Sequence, residues 1–509
     1  MMPRQLILFS AALALTAGDP KLPLPEAPLR MVIPDVASFD AALTGNYRRF
    51  LTGSPRPGDP LVSAWRKTQV GSKLEDQWAK FSASLPLNWD SIRKLQPKAL
   101  GLALLDVGHL EAVLLVETPV AVLPIAFPAG EKKVYGGVAY TLAMQGTADG
   151  SEDPDRRMGL AWARQGPWLF LATSERALKL ALDDALNGRG IAAPLAGLVS
   201  MEIDLDRLRK DRYFRREFVF PDGPETGKLR TALRKEGGHL VEVREGLTEP
   251  RNAVFTFEAQ GAATAGWEPE GTAFWPAFRR GLLEPIPLLL DQPVPSVRPL
   301  PAATSAAAED RYLVDFTQPK LAAGAAPWEE GELATWKTLL ERTPISSWGF
   351  WVGPEGTRRM VFAWPEAQDA AFLEACRATV ARRAGSATVV KEVTAQEIRV
   401  GPGLPALALR RTAGFLWVGP TARSLQSVPA PTASGDLIRW ARLDLAAVRG
   451  EAARWAKLEG PARPEQVRPL SDRVLGLLGW LPATTSISVE RRKTRTGWTE
   501  KIIFGQSAR

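Results

Sequence analysis

Two histidines, His109 and His239, and one cysteine, Cys376, are the only imidazoles and the only thiol in this 509-residue chain. An internal disulfide is therefore impossible, and zinc ribbons or a mechanism built on a Cys/His cluster are excluded. Serine chemistry has little more to offer. Ser91-Ile-Arg-Lys94 has the S-x-x-K spacing of penicillin-recognising enzymes, but the partner motifs S-D-N and K-T-G are absent, and no G-x-S-x-G occurs. Gly223-Pro-Glu-Thr-Gly-Lys-Leu fails the P-loop pattern on spacing and on its missing Ser/Thr. Gly401-Pro-Gly403 and Gly188-Arg-Gly190 lack the third glycine of a dinucleotide fingerprint. Asp149-Gly-Ser-Glu-Asp-Pro-Asp155 could offer oxygen ligands to Ca²⁺, but the EF-hand spacing fails and Arg156 and Arg157 follow at once, which favours a solvated loop. Carboxylate chemistry stays open, because a glycosidase needs only two acids. Asp204, Asp206, Asp444 and Glu117 are the candidates for such a hydrolase. No catalytic residue, cofactor site or metal ligand is assigned.

The elements that would position these residues come from an internal repeat. Trp168-Leu-Phe-Leu-Ala-Thr-Ser-Glu-Arg-Ala-Leu178 matches Phe415-Leu-Trp-Val-Gly-Pro-Thr-Ala-Arg-Ser-Leu425 without a gap, at an offset of 247. The same offset pairs Trp89 with Trp336, Pro97 with Pro344, Gly159–Trp162 with Ala406–Leu409, and Val254–Phe257 with Lys501–Phe504. At offset 240, Ile203–Arg209 pairs with Leu443–Arg449. The polar residues kept in both copies are Arg176 and Arg423, Asp204 and Asp444, and Arg209 and Arg449. The two aspartates sit where a strand turns into a helix, a capping position.

Periodicity predicts an opening strand (Met31 to Ile33; Tyr312 to Val314), a helix ending before Pro97 or Pro344, and two strands in each copy. A variable middle follows, extended in the first copy and helical over Glu366 to Arg383 in the second. Within that helix Phe372, Ala375, Cys376, Thr379 and Val380 share a face, which predicts a buried thiol. Two more strands lead to a helix capped near Ser174. After the aspartate strand, a closing hairpin is expected from Leu240 to Arg244 with Ala253 to Glu258, and from Ser486 to Glu490 with Thr499 to Phe504. Short turns between strands imply antiparallel pairing, and the helices among them imply an α+β class: two tandem-duplicated domains, each a mainly antiparallel sheet with packed helices. The expected divisions are residues 1–18, 19–270 and 310–509, with a Pro/Ala-rich connecting segment at 271–309. The tryptophans that recur between copies read as core, while Trp267, Trp275 and Trp328 are freer for surface contact.

The element Trp168–Leu178 and the downstream strand Met201-Glu-Ile-Asp-Leu-Asp206 resemble exported bacterial proteins classed only as domains of unknown function. The resemblance implies an envelope or secreted location and a duplicated α+β fold, and it carries over no catalytic residue.

The N terminus agrees with export. Arg4 precedes an apolar run from Leu6 to Leu15 and small residues at Ala17 and Gly18, the pattern of a signal peptide covering residues 1–18. No later stretch qualifies as a membrane span. The net charge of +8 is almost wholly C-terminal, since Leu437 to Arg509 holds 14 Lys/Arg against 7 Asp/Glu. Arg491, Arg492, Lys493 and Arg495, at the tip of the last hairpin, could contact a polyanion. A nucleic acid partner is not expected, because no recognition motif is present. These features point to a periplasmic or secreted, non-catalytic binding protein with an envelope partner or anionic surface. The alternative is a glycosidase-like, carboxylate-dependent hydrolase with its site in one repeat.

Overall fold

In the computed structural model the described residues are 21–42, 89–106, 111–147 (without 126 and 128), 157–210, 226–247, 254–267, 274–283, 328–450 (without 354, 355 and 402) and 484–506. The signal-like segment, the expected strand Tyr312 to Val314, His109, the acidic turn Asp149–Asp155 and the expected connecting segment 271–309, apart from 274–283, lie outside them. The chain divides into two compact units, Met1–Thr248 with Trp480–Pro482 and Glu249–Gly479 with Ala483–Arg509.

Unit one contains β1 (Leu29–Ile33), helices α1 (Val36–Ala42) and α2 (Trp89–Lys94), β2 (Leu100–Asp106), β3 (Glu111–Glu117), β4 (Glu131–Tyr135), β5 (Val138–Thr147), β6 (Arg157–Gln165), β7 (Trp168–Ala172), α3 (Glu175–Leu186), β8 (Val199–Asp204), α4 (Leu205–Lys210), β9 (Thr226–Glu236) and β10 (His239–Leu247). Its strands lie in the spatial order β10-β9-β8-β1-β2-β3-β7-β6-β5-β4, and every pairing is antiparallel. The central strands are apolar at nearly every position (LGLALLD in β2, WLFLA in β7) because both faces of the sheet are covered. One core gathers Val32, Ala103, Leu115 and Phe170 with Leu22, Leu24 and Leu178. The other gathers Leu100, Val116, Leu169 and Leu171 with Phe39 and Leu95.

Unit two contains β11 (Phe255–Thr256), β12 (Ala263–Trp267), α5 (Phe274–Phe278), α6 (Glu330–Arg342), β13 (Trp348–Val352), β14 (Arg358–Ala363), α7 (Asp369–Ala384), β15 (Thr388–Lys391), β16 (Gln396–Val400), β17 (Leu404–Thr412), β18 (Phe415–Gly419), β19 (Thr432–Ala433), β20 (Leu437–Asp444), β21 (Thr484–Lys493) and β22 (Trp498–Gln506). Its main order is β22-β21-β20-β12-β13-β14-β18-β17-β16-β15, again all antiparallel. Strand for strand, this is the order of unit one. Residues 168–172 and 415–419, matched by sequence, form β7 and β18 at equivalent places.

The α+β expectation is overturned. Among the described residues strands make up 45% against 25% for helices, so the class is mainly β rather than a pair of α+β domains. The excess comes from the variable middle. The extended stretch of the first copy is the β4–β5 hairpin, and the helix of the second copy is followed by the β15–β16 hairpin. Two register assignments also change. The closing hairpin of unit one is β9–β10, not Leu240–Arg244 with Ala253–Glu258, and it turns on Gly237 and Gly238, both at positive φ (55° and 84°). Val254–Phe257 is therefore no counterpart of Lys501–Phe504; Phe255 pairs with Ala433 instead. The opening strand of unit two is β12, which pairs with β13 and β20 as β1 pairs with β2 and β8. That strand lies inside the segment 19–270 assigned from sequence to the first repeat.

Trp336, Trp348 and Phe372 are fully buried in one core of unit two, and Trp417 in the other. Trp275 and Trp328, expected to be freer, pack on the first: Trp275 lies 4.9 Å from Trp336 and 5.3 Å from Trp328 between ring centroids. The side chains expected to share a face of α7, including Cys376, are the buried ones. Burial pushes the Cys376 thiol up, which makes it unreactive.

Close covering of the sheet requires small residues at matched places. Gly101 opposes Val32 and Gly349 opposes Gly266, the equivalent register positions. A Cβ at Gly101 would stand 2.5 Å from Leu24 Cδ1, and one at Gly349 would stand 2.8 Å from Phe257 Cε1 and 3.0 Å from the Ala265 carbonyl oxygen. Gly349→Val should lower stability by about 1–3 kcal/mol in denaturant titration. Unchanged stability would contradict this packing.

Candidate functional site

Among the described residues of unit one, charged side chains converge in a row that crosses four strands. The register sets Ala103 of β2, Arg30 of β1, Glu202 of β8 and Arg230 of β9 side by side. Opposite charges on neighbouring strands attract directly in this arrangement. The Glu202 side chain is only 7% exposed. Arg30 Nη2 donates to its Oε1, Arg230 Nε donates to Oε2 at 3.0 Å, and Lys228 Nζ lies 3.3 Å from Oε1. Burial by itself pushes the Glu202 carboxyl up, but the bonds from Arg30 and Arg230 and the Lys228 charge outweigh it and leave the group below its usual range.

Such a carboxylate stays ionised and bonded, so it is a poor general acid at neutral pH. The row has a different capacity. Three cations meet one carboxylate, and Lys228 and Arg230 keep 38% and 46% exposure on the solvent side, where Glu26 approaches Lys228 at 3.7 Å. Surplus positive charge around guanidinium and ammonium groups suits a carboxylate or phosphate ligand. The equivalent row of unit two reads Trp351, Thr264, Arg442 and Ser488. The shared strand order therefore does not demand the Glu202 row.

A serine–acid pair occurs at the start of α3. Ser174 Oγ donates to Glu111 Oε1 (2.6 Å) and accepts from Ala177 N (3.0 Å), while Arg176 Nη1 donates to Glu111 Oε2 (2.5 Å). Both the proton and a lone pair of the hydroxyl are engaged, so Ser174 caps the helix and Glu111 adds favourable charge at its positive end. Unit two repeats the device with different parts. Thr421 Oγ1 accepts from Ser424 N (3.0 Å), and Glu397, brought in by β16, accepts from Ala422 N (2.7 Å) while Arg399 holds it at 2.7 Å.

The residues nominated from sequence scatter into separate tasks. Asp204 accepts from Arg207 N (3.0 Å) and Asp444 from Ala447 N (2.9 Å), so both cap the helical turn after their strand. Asp206 accepts from Gly227 N (3.0 Å). Glu117 ends β3 opposite Trp168. Arg176 bonds Glu111; Arg423 begins a 3-10 turn; Arg209 sits in the last turn of α4; Arg449 lies in the helical residues 445–450. Ser91 and Lys94 belong to α2. In the basic run of the last hairpin, Arg491 is buried, paired with Glu500 at 3.0 Å and stacked 3.7 Å from the Trp498 ring centroid. Arg492 pairs with Asp436 (2.8 Å) and Glu490 (3.0 Å), while Lys493 and Arg495 are exposed. Among the described residues no group of three or more His, Cys, Asp or Glu is placed to hold a metal ion.

Sequence reasoning missed Glu202, Arg30 and Arg230, although a charged residue between Met201 and Ile203 in an apolar strand was a visible signal. It also missed Arg164 and Arg411, which stand 247 apart. Each anchors the chain leaving the third strand: Arg164 through the carbonyls of Val120 and Ala121, Arg411 through Asp369 and the Trp364 carbonyl.

No family model, no curated protein and no solved structure matches this chain.

Because the Glu202 carboxyl is held below its ordinary value of 4.5, the folded chain binds that proton less readily than the unfolded one. Its contribution to stability is full above about pH 4.5 and is lost as pH falls through the lowered value. Glu202→Gln should destabilise by about 3 kcal/mol at pH 7, as expected when a buried charge loses its partner. The difference from wild type should shrink in acid. A difference independent of pH would contradict the assignment.

Proposed function

We propose that the protein is exported to the cell envelope, periplasmic or secreted, and acts there by binding an anionic partner rather than by catalysis. The observation that carries this reading is the Glu202 row. Among the described residues Arg30, Lys228 and Arg230 face only Glu202 and Glu26, which leaves one surplus positive charge on the exposed side of Lys228 and Arg230, and the matched row of unit two does without it. The partner's chemistry is that of an envelope component bearing carboxylate or phosphate, not of a nucleic acid. Export rests on Arg4, the Leu6–Leu15 run and the small residues that follow. No helix among the described residues is long and apolar enough to cross a membrane, which says nothing of strands.

The hydrolase alternative is weaker on the same grounds. Asp204, Asp206 and Asp444 each accept a backbone N–H, so these carboxylates are directed at the main chain and do not converge as a pair.

Two measurements test the reading. N-terminal sequencing of protein from the native host should find the first 17 or 18 residues removed, and a retained Met1 would refute export. Titration with inorganic polyphosphate as a probe should show affinity that falls with salt and drops about tenfold or more in Lys228→Glu/Arg230→Glu. Lys493→Glu/Arg495→Glu should leave it nearly unchanged. The opposite pattern would move the contact to the hairpin tip and refute the Glu202 site.

A further inference from the structure

We infer that the end of unit one formed by the segment after β3 docks on an anionic lipid surface, a proposal that rests on the envelope location above and names one partner there. The segment reads Thr118-Pro-Val-Ala-Val-Leu-Pro-Ile-Ala-Phe-Pro-Ala-Gly130 and holds no ionisable side chain. Its first residues are anchored through their backbone. Thr118 N bonds the Pro167 carbonyl (2.8 Å), Thr118 Oγ1 donates to the Leu95 carbonyl, and Val120 N bonds Thr118 Oγ1 (3.1 Å). Arg164 Nη1 clamps the carbonyls of Val120 (2.5 Å) and Ala121 (2.8 Å). Further along, Ile125 is buried and Phe127 packs on Trp162 with ring centroids 5.1 Å apart.

Between these anchors the apolar side chains face water. Val122 is 83% exposed, and Pro119, Ala121 and Pro124 are exposed beside it. Contacts therefore hold the chain on both sides of Val122, which still faces outward. Unit two shows that the strand order does not require this. After β14 the same position carries a 3-10 turn and α7, with Glu366 and Asp369, and Arg411 there is paired with the Asp369 carboxylate. In unit one the Arg164 bonds go to neutral carbonyls, which do not cancel its charge.

Charge selects the occupant. The segment bonded to this loop carries exposed Lys94 and Lys98: Leu95 accepts the Thr118 hydroxyl, and Lys98 N bonds the Glu117 carbonyl at 2.8 Å. An apolar tip backed by Arg164 and joined at its base to a segment with two exposed lysines, where Glu117 is the acid on the loop side, fits the boundary between acyl chains and phosphate headgroups. There apolar burial and attraction to anionic lipid add, without any membrane-crossing element. A soluble polyanion would engage the lysines and leave Val122 in water.

The test is flotation of the full-length protein with vesicles of phosphatidylcholine containing phosphatidylglycerol, with phosphatidylcholine vesicles alone, and with inorganic polyphosphate as competitor. Binding to the anionic vesicles is expected, weakened by salt and much lower on phosphatidylcholine alone. Val122→Asp should reduce it about tenfold, and Lys94→Glu and Lys98→Glu about fivefold each. Both substitution types fall on exposed side chains, so an unchanged melting temperature is the accompanying control. Lys228→Glu/Arg230→Glu should leave vesicle binding unaltered. Absence of vesicle binding by the wild type, or equal binding by Val122→Asp, would overturn the inference. Loss with the lysine variants alone, together with competition by polyphosphate, would also overturn it in favour of a soluble anion. Export and polyphosphate binding at Lys228 would survive any of these failures, so the two readings fail separately.

Discussion

Covering the central sheet on both faces is the constraint from which the rest of this structure follows. In each unit the strands β2, β3 and β7, or β13, β14 and β18, have no solvated side, so alternation of apolar and polar residues disappears and nearly every position is apolar. Two layers must then be supplied from elsewhere in the chain. On one face the layer is a strap of extended chain, Leu22 to Ala27 or Val254 to Phe257, joined in unit one by α3, and the strap lies close enough to need Gly101 or Gly349 beneath it. On the other face it is helical, from α1 and α2 or from α5, α6 and α7. Chain that crosses from strand to covering layer must be held at the crossing. Ser174 and Thr421, Asp204 and Asp444, and Arg164 and Arg411 do this at matched positions in the two units.

The frame is common and the chemistry hung on it is not. Unit one carries a full helix after β7 where unit two has a 3-10 turn. The segment after the third strand is uncharged and outward in unit one and helical with acids in unit two. The cross-strand row around Glu202 is ionic in unit one, while in unit two it contains buried Thr264 and an Arg442 paired at 3.7 Å with Glu258. These differences are what direct the functional reading to unit one. Asp204 and Asp444, kept in both units, serve as caps, whereas the Glu202 row and the segment after the third strand differ.

How much of this was legible in the sequence follows the same division. The offset of 247 located β6, β7, β17 and β18 because buried strands cannot change length without breaking register on both sides. Asp204 and Asp444 were readable as caps because a short acid before a helix has few other uses. The β4–β5 and β15–β16 hairpins were not legible. Their strands lie at the outer edge, where small and polar residues such as those of VAYTLAMQGT mix on both faces and the period-two signal fades. Missing them gave the α+β class. The false match of Val254–Phe257 to Lys501–Phe504 arose because short apolar runs look alike whether they form a strap or a strand. The Glu202 row was hidden for another reason: its partners come from Arg30, Lys228 and Arg230, far apart in sequence and joined only by strand order.

Amide hydrogen exchange across the whole chain tests the doubly covered frame most directly. If both units bury their central strands alike, the amides of 100–106, 113–117 and 168–172 and those of 348–352, 358–363 and 415–419 exchange slowest within their units, and the outer strands 131–135 and 388–391 exchange faster. Rapid exchange at 168–172 or at 415–419, with protection in the other, would contradict a frame common to both.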